Sequence, residues 1–330
     1  MSQKKKILVT WWKWMLAYDF FRTQKEKYDI ILVDKTECDI TSFESVMQCI
    51  ATYEPDVALN CAAYTAVDDA EDIGMRTCFD VNTLGVKNIA KATSIFDIAC
   101  ITISTDYVFD GQKSDGYLPT DMCHPINAYG VSKYLGERLA LDENPRTIIV
   151  RTSWLYGWKS FTECQNNRAI ESTETCKPVN LWNCTSDGVF KNFVNTMLRL
   201  SDSKTELKVV SDQHGIPTSC IDLSFALARI IDDIESREYA GHIFHLSNSI
   251  QIDSPVDSDK NQISNTKNSI TWADFAREIF RTIWKDISVV DCTSSEYPTK
   301  AKRPNYSILK NTSEIILDDW RDGLHRYLKK

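Results

Sequence analysis

Five short apolar runs, rich in β-branched residues, recur through the first half of the chain with helix-patterned stretches between them. Ile7-Leu8-Val9-Thr10 has a branched residue at three of its four positions, as suits a strand buried on both faces. Ile30–Val33, Asp56–Asn60, Cys100–Ser104 and Thr147–Arg151 repeat the pattern. Between them, the stretch 41–53 puts Phe43, Val46, Met47 and Ile50 on one helical face, with Thr41 placed as N-cap. Val86, Ile89, Ala90 and Thr93 share a face of a second helix, and 129–141 reads as a third. Strand, helix, strand at this spacing predicts an α/β chain with a Rossmann-like doubly wound parallel sheet.

The second half is less regular. Residues 190–200 and 222–234 read as amphipathic helices, His242–Leu246 as a strand, and Trp272–Trp284 as a helix. Two stretches, 159–187 and 249–269, are polar without apolar periodicity and read as surface insertions.

Charge and cysteine usage narrow the class. The net charge is −8 and the pI about 5.3, with no basic patch beyond Lys4-Lys5-Lys6, so nucleic acid is not an expected partner. Eleven cysteines occur without a CxxC pair, which excludes a zinc ribbon and fits reduced thiols in a cytoplasmic protein. No apolar run is long enough to span a membrane. Lys13 interrupts the apolar stretch near the start, and no small-residue cleavage site follows it, which argues against export. No histidine, cysteine or carboxylate spacing suggests a metal ligand set.

Tyr129 and Lys133 lie four apart on a predicted helix and so share a face. An ammonium near a phenol stabilises the phenolate, which equips the tyrosine for acid–base work on a carbonyl. Upstream, Ser104-Thr105-Asp106-Tyr107-Val108-Phe109-Asp110-Gly111 ends a predicted strand, and Asn60-Cys61-Ala62-Ala63-Tyr64 ends the strand before it. Ligands bind beyond the carboxyl ends of such strands.

These strings carry a resemblance. Together with Pro55–Asp68, Pro125–Lys133, Arg151-Thr-Ser-Trp-Leu-Tyr-Gly157, Asn192–Leu200, Asp212–Thr218 and Glu296–Pro304, they make the chain similar to the extended short-chain dehydrogenase/reductases. Within that class it resembles the dTDP-4-dehydrorhamnose reductase family. The resemblance implies a dinucleotide-binding Rossmann domain over 1–157, to which segments near 190–200 and 241–248 return. It also implies a smaller, mainly substrate-binding C-terminal region over 158–330.

It implies reduction of the C4 keto group of dTDP-6-deoxy-L-lyxo-4-hexulose to dTDP-L-rhamnose. Thr105 would polarise the carbonyl, Tyr129 would protonate it, and Lys133 would hold the nicotinamide ribose. Ser104, Asp106, Tyr107, Val108, Trp154 and Arg303 would meet the substrate. NADPH or NADH would lie along Trp11, Lys13, Trp14, Met15, Leu16, Asp34, Lys35, Asp39, Ile40, Ala62, Ala63 and Tyr64, as well as Tyr129 and Lys133. Magnesium enters by resemblance alone. A nucleotide sugar is the implied partner, with a homodimer compatible.

One stretch departs from the family. A glycine-rich turn should follow the first strand, letting a pyrophosphate reach backbone N–H groups. The chain has 11 glycines, none before Gly74, and the three glycine positions of the turn hold Trp11, Trp14 and Ala17. Indoles there are expected to fill the pyrophosphate space. Three readings follow: a catalytically silent nucleotide-sugar-binding or regulatory homologue, a remodelled loop that still binds cofactor, or an exposed Trp11/Trp12/Trp14 patch for a partner or membrane surface.

Overall fold

The computed structural model describes residues 4–11, 13–157, 191–234, 239–250 and 268–329. Strands β1 (Lys6–Thr10), β2 (Asp29–Val33), β3 (Val57–Asn60), β4 (Ala99–Thr105), β5 (Thr147–Thr152) and β10 (Ile243–His245) form one sheet in the order β10-β5-β4-β3-β1-β2. Every pairing in it is parallel. The order turns back at β1, so the β1–β3 boundary is the topological switch point where an α/β sheet offers its crevice.

Alternation within the strands divides two cores. Ile7 and Val9 of β1 face one side, where α1 (Met15–Gln24) packs with α7 (Cys220–Asp233). Leu8 faces the other side, where α2 (Phe43–Tyr53) and α4 (Val86–Ile95) contribute Val46, Ile50 and Ile89. Helix α3 (Met75–Phe79) passes through a π turn, Asp80–Gly85, into α4. The long helix α5 (Ala128–Glu143) then covers the carboxyl end of β4.

The remaining elements build a second core. β7 (Glu206–Val210) pairs with β12 (Ser288–Cys292), β6 (Leu155–Tyr156) with β9 (Thr218–Ser219), and β8 (His214–Gly215) with β11 (Ile270–Thr271). Helices α6 (Phe193–Leu200), α8 (Trp272–Thr282) and α9 (Trp320–Leu328) enclose Phe275, Ile279, Trp320 and Leu324. α8 begins with a reciprocal cap between Thr271 and Asp274.

Several boundaries differ from expectation. Ser42, not Thr41, caps α2, because its hydroxyl reaches Ser45 N at 3.2 Å while Thr41 turns back onto Asp39. β4 extends through Thr105, one residue beyond its apolar run. Helix α6 buries Val194 and Met197 in the second core, and its cap Asn192 reaches Met15 of the first. The polar stretches 159–187 and 249–269 fall almost wholly outside the described residues.

Two glycines let α5 sit close. A Cβ on Gly136 would stand 2.1 Å from the Asn82 carbonyl oxygen, and one on Gly130 would stand 2.2 Å from that of Tyr107. Both obstacles are backbone and cannot swing aside. Gly136→Ala should therefore destabilise by about 1–3 kcal/mol, although alanine is the better helix former by about 1 kcal/mol. Urea unfolding checks this; a stabilised variant would contradict so close a contact.

Candidate active site

The switch point is tied together by Thr10. Its hydroxyl donates to Asn60 Oδ1 at 2.7 Å and accepts from Cys61 N and Ala62 N at 3.1 and 3.2 Å. Asn82, in the π turn, holds the next residues: Tyr64 N donates to its Oδ1, and its Nδ2 donates to Tyr64 O and Ser132 Oγ. A π turn commonly marks a functional position, and this one joins the loop after β3 to α5. Helix α5 is itself seated by Asn127, which accepts from Gly130 N at 2.7 Å, and by Glu71, which accepts from Ala128 N at 2.8 Å.

This framework brings Thr105, Tyr129 and Lys133 into one cavity of about 140 Å³, walled by Trp14, Asp106 and Trp154. Lys133 is 4% exposed and donates to Ile103 O at 2.6 Å. Burial pushes its ammonium down to about 8, opposed by Glu137 one turn further along. Burial, with the nearby Asp106 charge, raises the Tyr129 phenol above its usual range. Its ring stands edge-on to Tyr107, with centroids 5.8 Å apart. The phenol is not lowered as expected from Lys133, because burial dominates. Tyr129 rests as a protonated acid.

Thr105 Oγ1 donates to Asp106 Oδ1 at 2.9 Å, and Asp106 Oδ2 is buried with no hydrogen-bond partner among the described residues. Burial lifts the Asp106 carboxyl to about 6. Trp154 sits in the left-handed region (φ 48°) and stacks on Trp272 at 3.5 Å between centroids. Gly215 passes beneath the indole, where a Cβ would lie 2.5 Å away. Trp272, and Gly215 from the string Asp212–Thr218, therefore aim Trp154.

Ser104 lines this cavity too, with its hydroxyl donated to Glu137, which is paired in two places with the buried Arg151 at 2.9 and 2.7 Å. Other expected residues lie elsewhere. Val108 packs fully buried with Phe109, Tyr117 and Leu309. The side chains of Met15 and Leu16 pack into the first core. Arg303 pairs with Asp68 at 3.1 and 2.9 Å and lines an outer cleft of about 630 Å³ together with Lys191, Trp14 and Met15. Lys191 was not anticipated: a lone lysine beyond a polar stretch carries no pattern.

A third cavity, of about 310 Å³, runs along Thr10, Trp11, Lys13, Asp34, Lys35, Asp39, Ile40 and Ala62 to Tyr64. It tests whether a dinucleotide fits. Trp11 adopts φ 57°, the left-handed conformation a glycine would supply, at a cost of about 1–2 kcal/mol. Trp14 occupies the N-cap of α1 with no side-chain cap, and the first turn of that helix carries no acid, which leaves it open to an anion.

The indoles do not close the groove as expected. Trp11 packs against the core under α2, and Trp14 against the core under α1, so neither forms an exposed patch. Trp12 lies outside the described residues. The residues present fit a dinucleotide. Among the described residues, no group of three or more His, Cys, Asp or Glu side chains could hold a metal ion. None of the described helices is long and apolar enough to cross a membrane.

A parallel sheet that turns back at β1, with a tyrosine and a lysine four apart beside the end of β4, defines a Rossmann-type short-chain dehydrogenase/reductase. The sequence matches the family described as RmlD substrate binding domain over residues 5–178 and 186–330. It is 35% identical over 312 residues to a dTDP-4-dehydrorhamnose reductase of Aggregatibacter actinomycetemcomitans, covering 90% of this chain and 89% of that one. One from Sinorhizobium fredii is 33% identical, covering 90% and 88%. The crystal structure of a dTDP-4-dehydrorhamnose reductase from Clostridium acetobutylicum superposes with a TM-score of 0.79 at 34% identity, covering 98% of each chain. One from Bacillus anthracis, in complex with NADP, gives 0.79 at 30% identity over 99% of each. The chain belongs to the dTDP-4-dehydrorhamnose reductase family. None of these relatives supports a silent homologue.

The buried Asp106 makes a pH prediction. Its carboxyl titrates near 6 when folded and near 3.8 when free, so the folded state holds the extra proton between those values and loses stability as pH rises through them. Asp106→Asn should gain stability relative to the parent, by roughly 2–3 kcal/mol from pH 4 to pH 7. Chemical unfolding at several pH values reads this; a constant difference would contradict it.

Proposed function

We propose that the chain is an NAD(P)H-dependent reductase of dTDP-rhamnose biosynthesis, converting dTDP-6-deoxy-L-lyxo-4-hexulose to dTDP-L-rhamnose. The observation that carries this is the meeting of Thr105, Tyr129 and Lys133 in one cavity, beside a groove along Lys13 and Asp34 and an outer cleft bearing Arg303 and Lys191. When bound, the reduced nicotinamide supplies the hydride that C4 accepts.

The rest is done by the chain. Tyr129, held protonated by burial, gives its phenolic proton to the C4 oxygen as charge develops there. Thr105 turns its hydroxyl from Asp106 to the same oxygen, and one such donor stabilises the developing alkoxide. Lys133, an ammonium at neutral pH, stabilises the phenolate left behind and presents a donor to a ribose hydroxyl. Asp106 and Trp154, which also line the cavity, would bound the sugar. In the outer cleft, Arg303 and Lys191 suit the diphosphate, since a guanidinium offers paired donors. A reducing cytoplasm suits the eight described cysteines, which are unpaired and, save for Cys123, buried.

Tyr129→Phe keeps the ring and removes only the proton. Turnover, followed by nicotinamide absorbance with the keto sugar nucleotide, should fall by about 10²–10⁴-fold with cofactor affinity and melting temperature nearly unchanged. Turnover within a few-fold of the parent would remove Tyr129 from the chemistry.

A further inference from the structure

One buried row of polar and charged side chains takes no part in the mechanism above. Strand register pairs Ser104 of β4 with Arg151 of β5, and Arg151 with His245 of β10, so three neighbouring strands present these side chains together. Helix α5 lays Glu137 across the row, and all four residues are buried. Glu137 Oε1 accepts from the Ser104 hydroxyl and from Arg151 Nε at 2.9 Å, while Oε2 accepts from Arg151 Nη2 at 2.7 Å. The remaining donors of Arg151 go to Cys123 Sγ at 3.1 Å, His245 Nε2 at 3.3 Å and the Pro119 carbonyl at 3.5 Å. All five N–H groups of the guanidinium are therefore placed. His245 accepts as a neutral imidazole, since burial and the Arg151 charge push it down to about 3, and its Nδ1 donates to Tyr117 O at 3.0 Å.

A buried ion pair is weak ground for stability, because desolvation takes back most of the attraction. This one has a neighbour that needs a fixed carboxylate. Glu137 follows Lys133 by four residues and so shares its face of α5. Its charge opposes the desolvation of the Lys133 ammonium. Also facing Lys133 are the thiols of Cys61, after β3, and Cys78, in α3, both pushed up by burial and so uncharged near neutral pH. Tyr129 and Asp106 share its cavity, the phenol raised by burial and the carboxyl titrating near 6.

We infer that Glu137 is a positioning residue of the reduction: Ser104 and Arg151 fix its carboxylate, and that carboxylate keeps Lys133 an ammonium on the Ile103 carbonyl, in the cavity with Tyr129. This step rests on the reductase reading above.

The pH profile of kcat/KM with the keto sugar nucleotide reads the titrating groups of the free enzyme. In the parent its basic limb should fall at about 8, where Lys133 loses its proton. Glu137→Gln keeps the shape and an acceptor for Ser104 but removes the anion and leaves Arg151 unopposed. The basic limb should then move down by about one unit, tenfold in proton affinity. Arg151→Met removes the cation and leaves the carboxylate, so the limb should move up. Glu137→Gln combined with Arg151→Met buries no unpaired charge, which keeps that variant folded. Its limb should lie between those of the parent and Glu137→Gln. Loss of packing alone would lower turnover at every pH and leave the limb in place. A limb unmoved by Glu137→Gln, or by the double variant should the single one fail to fold, overturns the inference and leaves the reductase standing. So does a limb that Arg151→Met moves down. A parent chain without turnover overturns both.

Discussion

The seating of α5 against the carboxyl end of β4 is the contact on which the site depends. Lys133 places its ammonium 2.6 Å from the Ile103 carbonyl in a setting from which water is largely excluded. Burying an ammonium is costly unless it is hydrogen-bonded and balanced by charge. The strand carbonyl and the Glu137 carboxylate, one turn along the same helix, supply those two terms. The helix can come this close because Gly130 and Gly136 face backbone carbonyls that a side chain would strike. Tyr129 and Thr105 then share a cavity because one lies at the start of that helix and the other at the end of that strand.

The parallel sheet was legible because its strands are short, apolar and separated by helices of clear period, and each of the five first-half strands forms. Thr105, Tyr129 and Lys133 were legible because their spacing places them on one helix face and one strand end. What was not legible depended on side-chain direction. Ser104 and Thr105 are adjacent and both line the cavity, yet the Ser104 hydroxyl is tied to Glu137 while that of Thr105 meets Asp106. Val108 belongs to the same string but follows the chain into a small core of aromatic rings. Asn82 and Lys191 belong to no local pattern, because their partners come from distant segments.

The tryptophan turn shows how backbone and side chain separate as constraints. A dinucleotide turn needs a left-handed residue after the first strand and an open helix start, and both are kept at Trp11 and α1. The sequence predicted a block because three bulky residues replace the small ones. Rotation of Trp11 and Trp14 onto the two cores beneath α2 and α1 leaves the groove in place.

The reaction itself can be read from where a labelled hydrogen goes. The chain is incubated with the keto sugar nucleotide and NADPH carrying deuterium on the transferred face, and the sugar product is analysed by mass spectrometry and NMR. A reductase working through Thr105, Tyr129 and Lys133 places the deuterium on C4 of the sugar. Saturable cofactor binding with no deuterium in the sugar would contradict that chemistry.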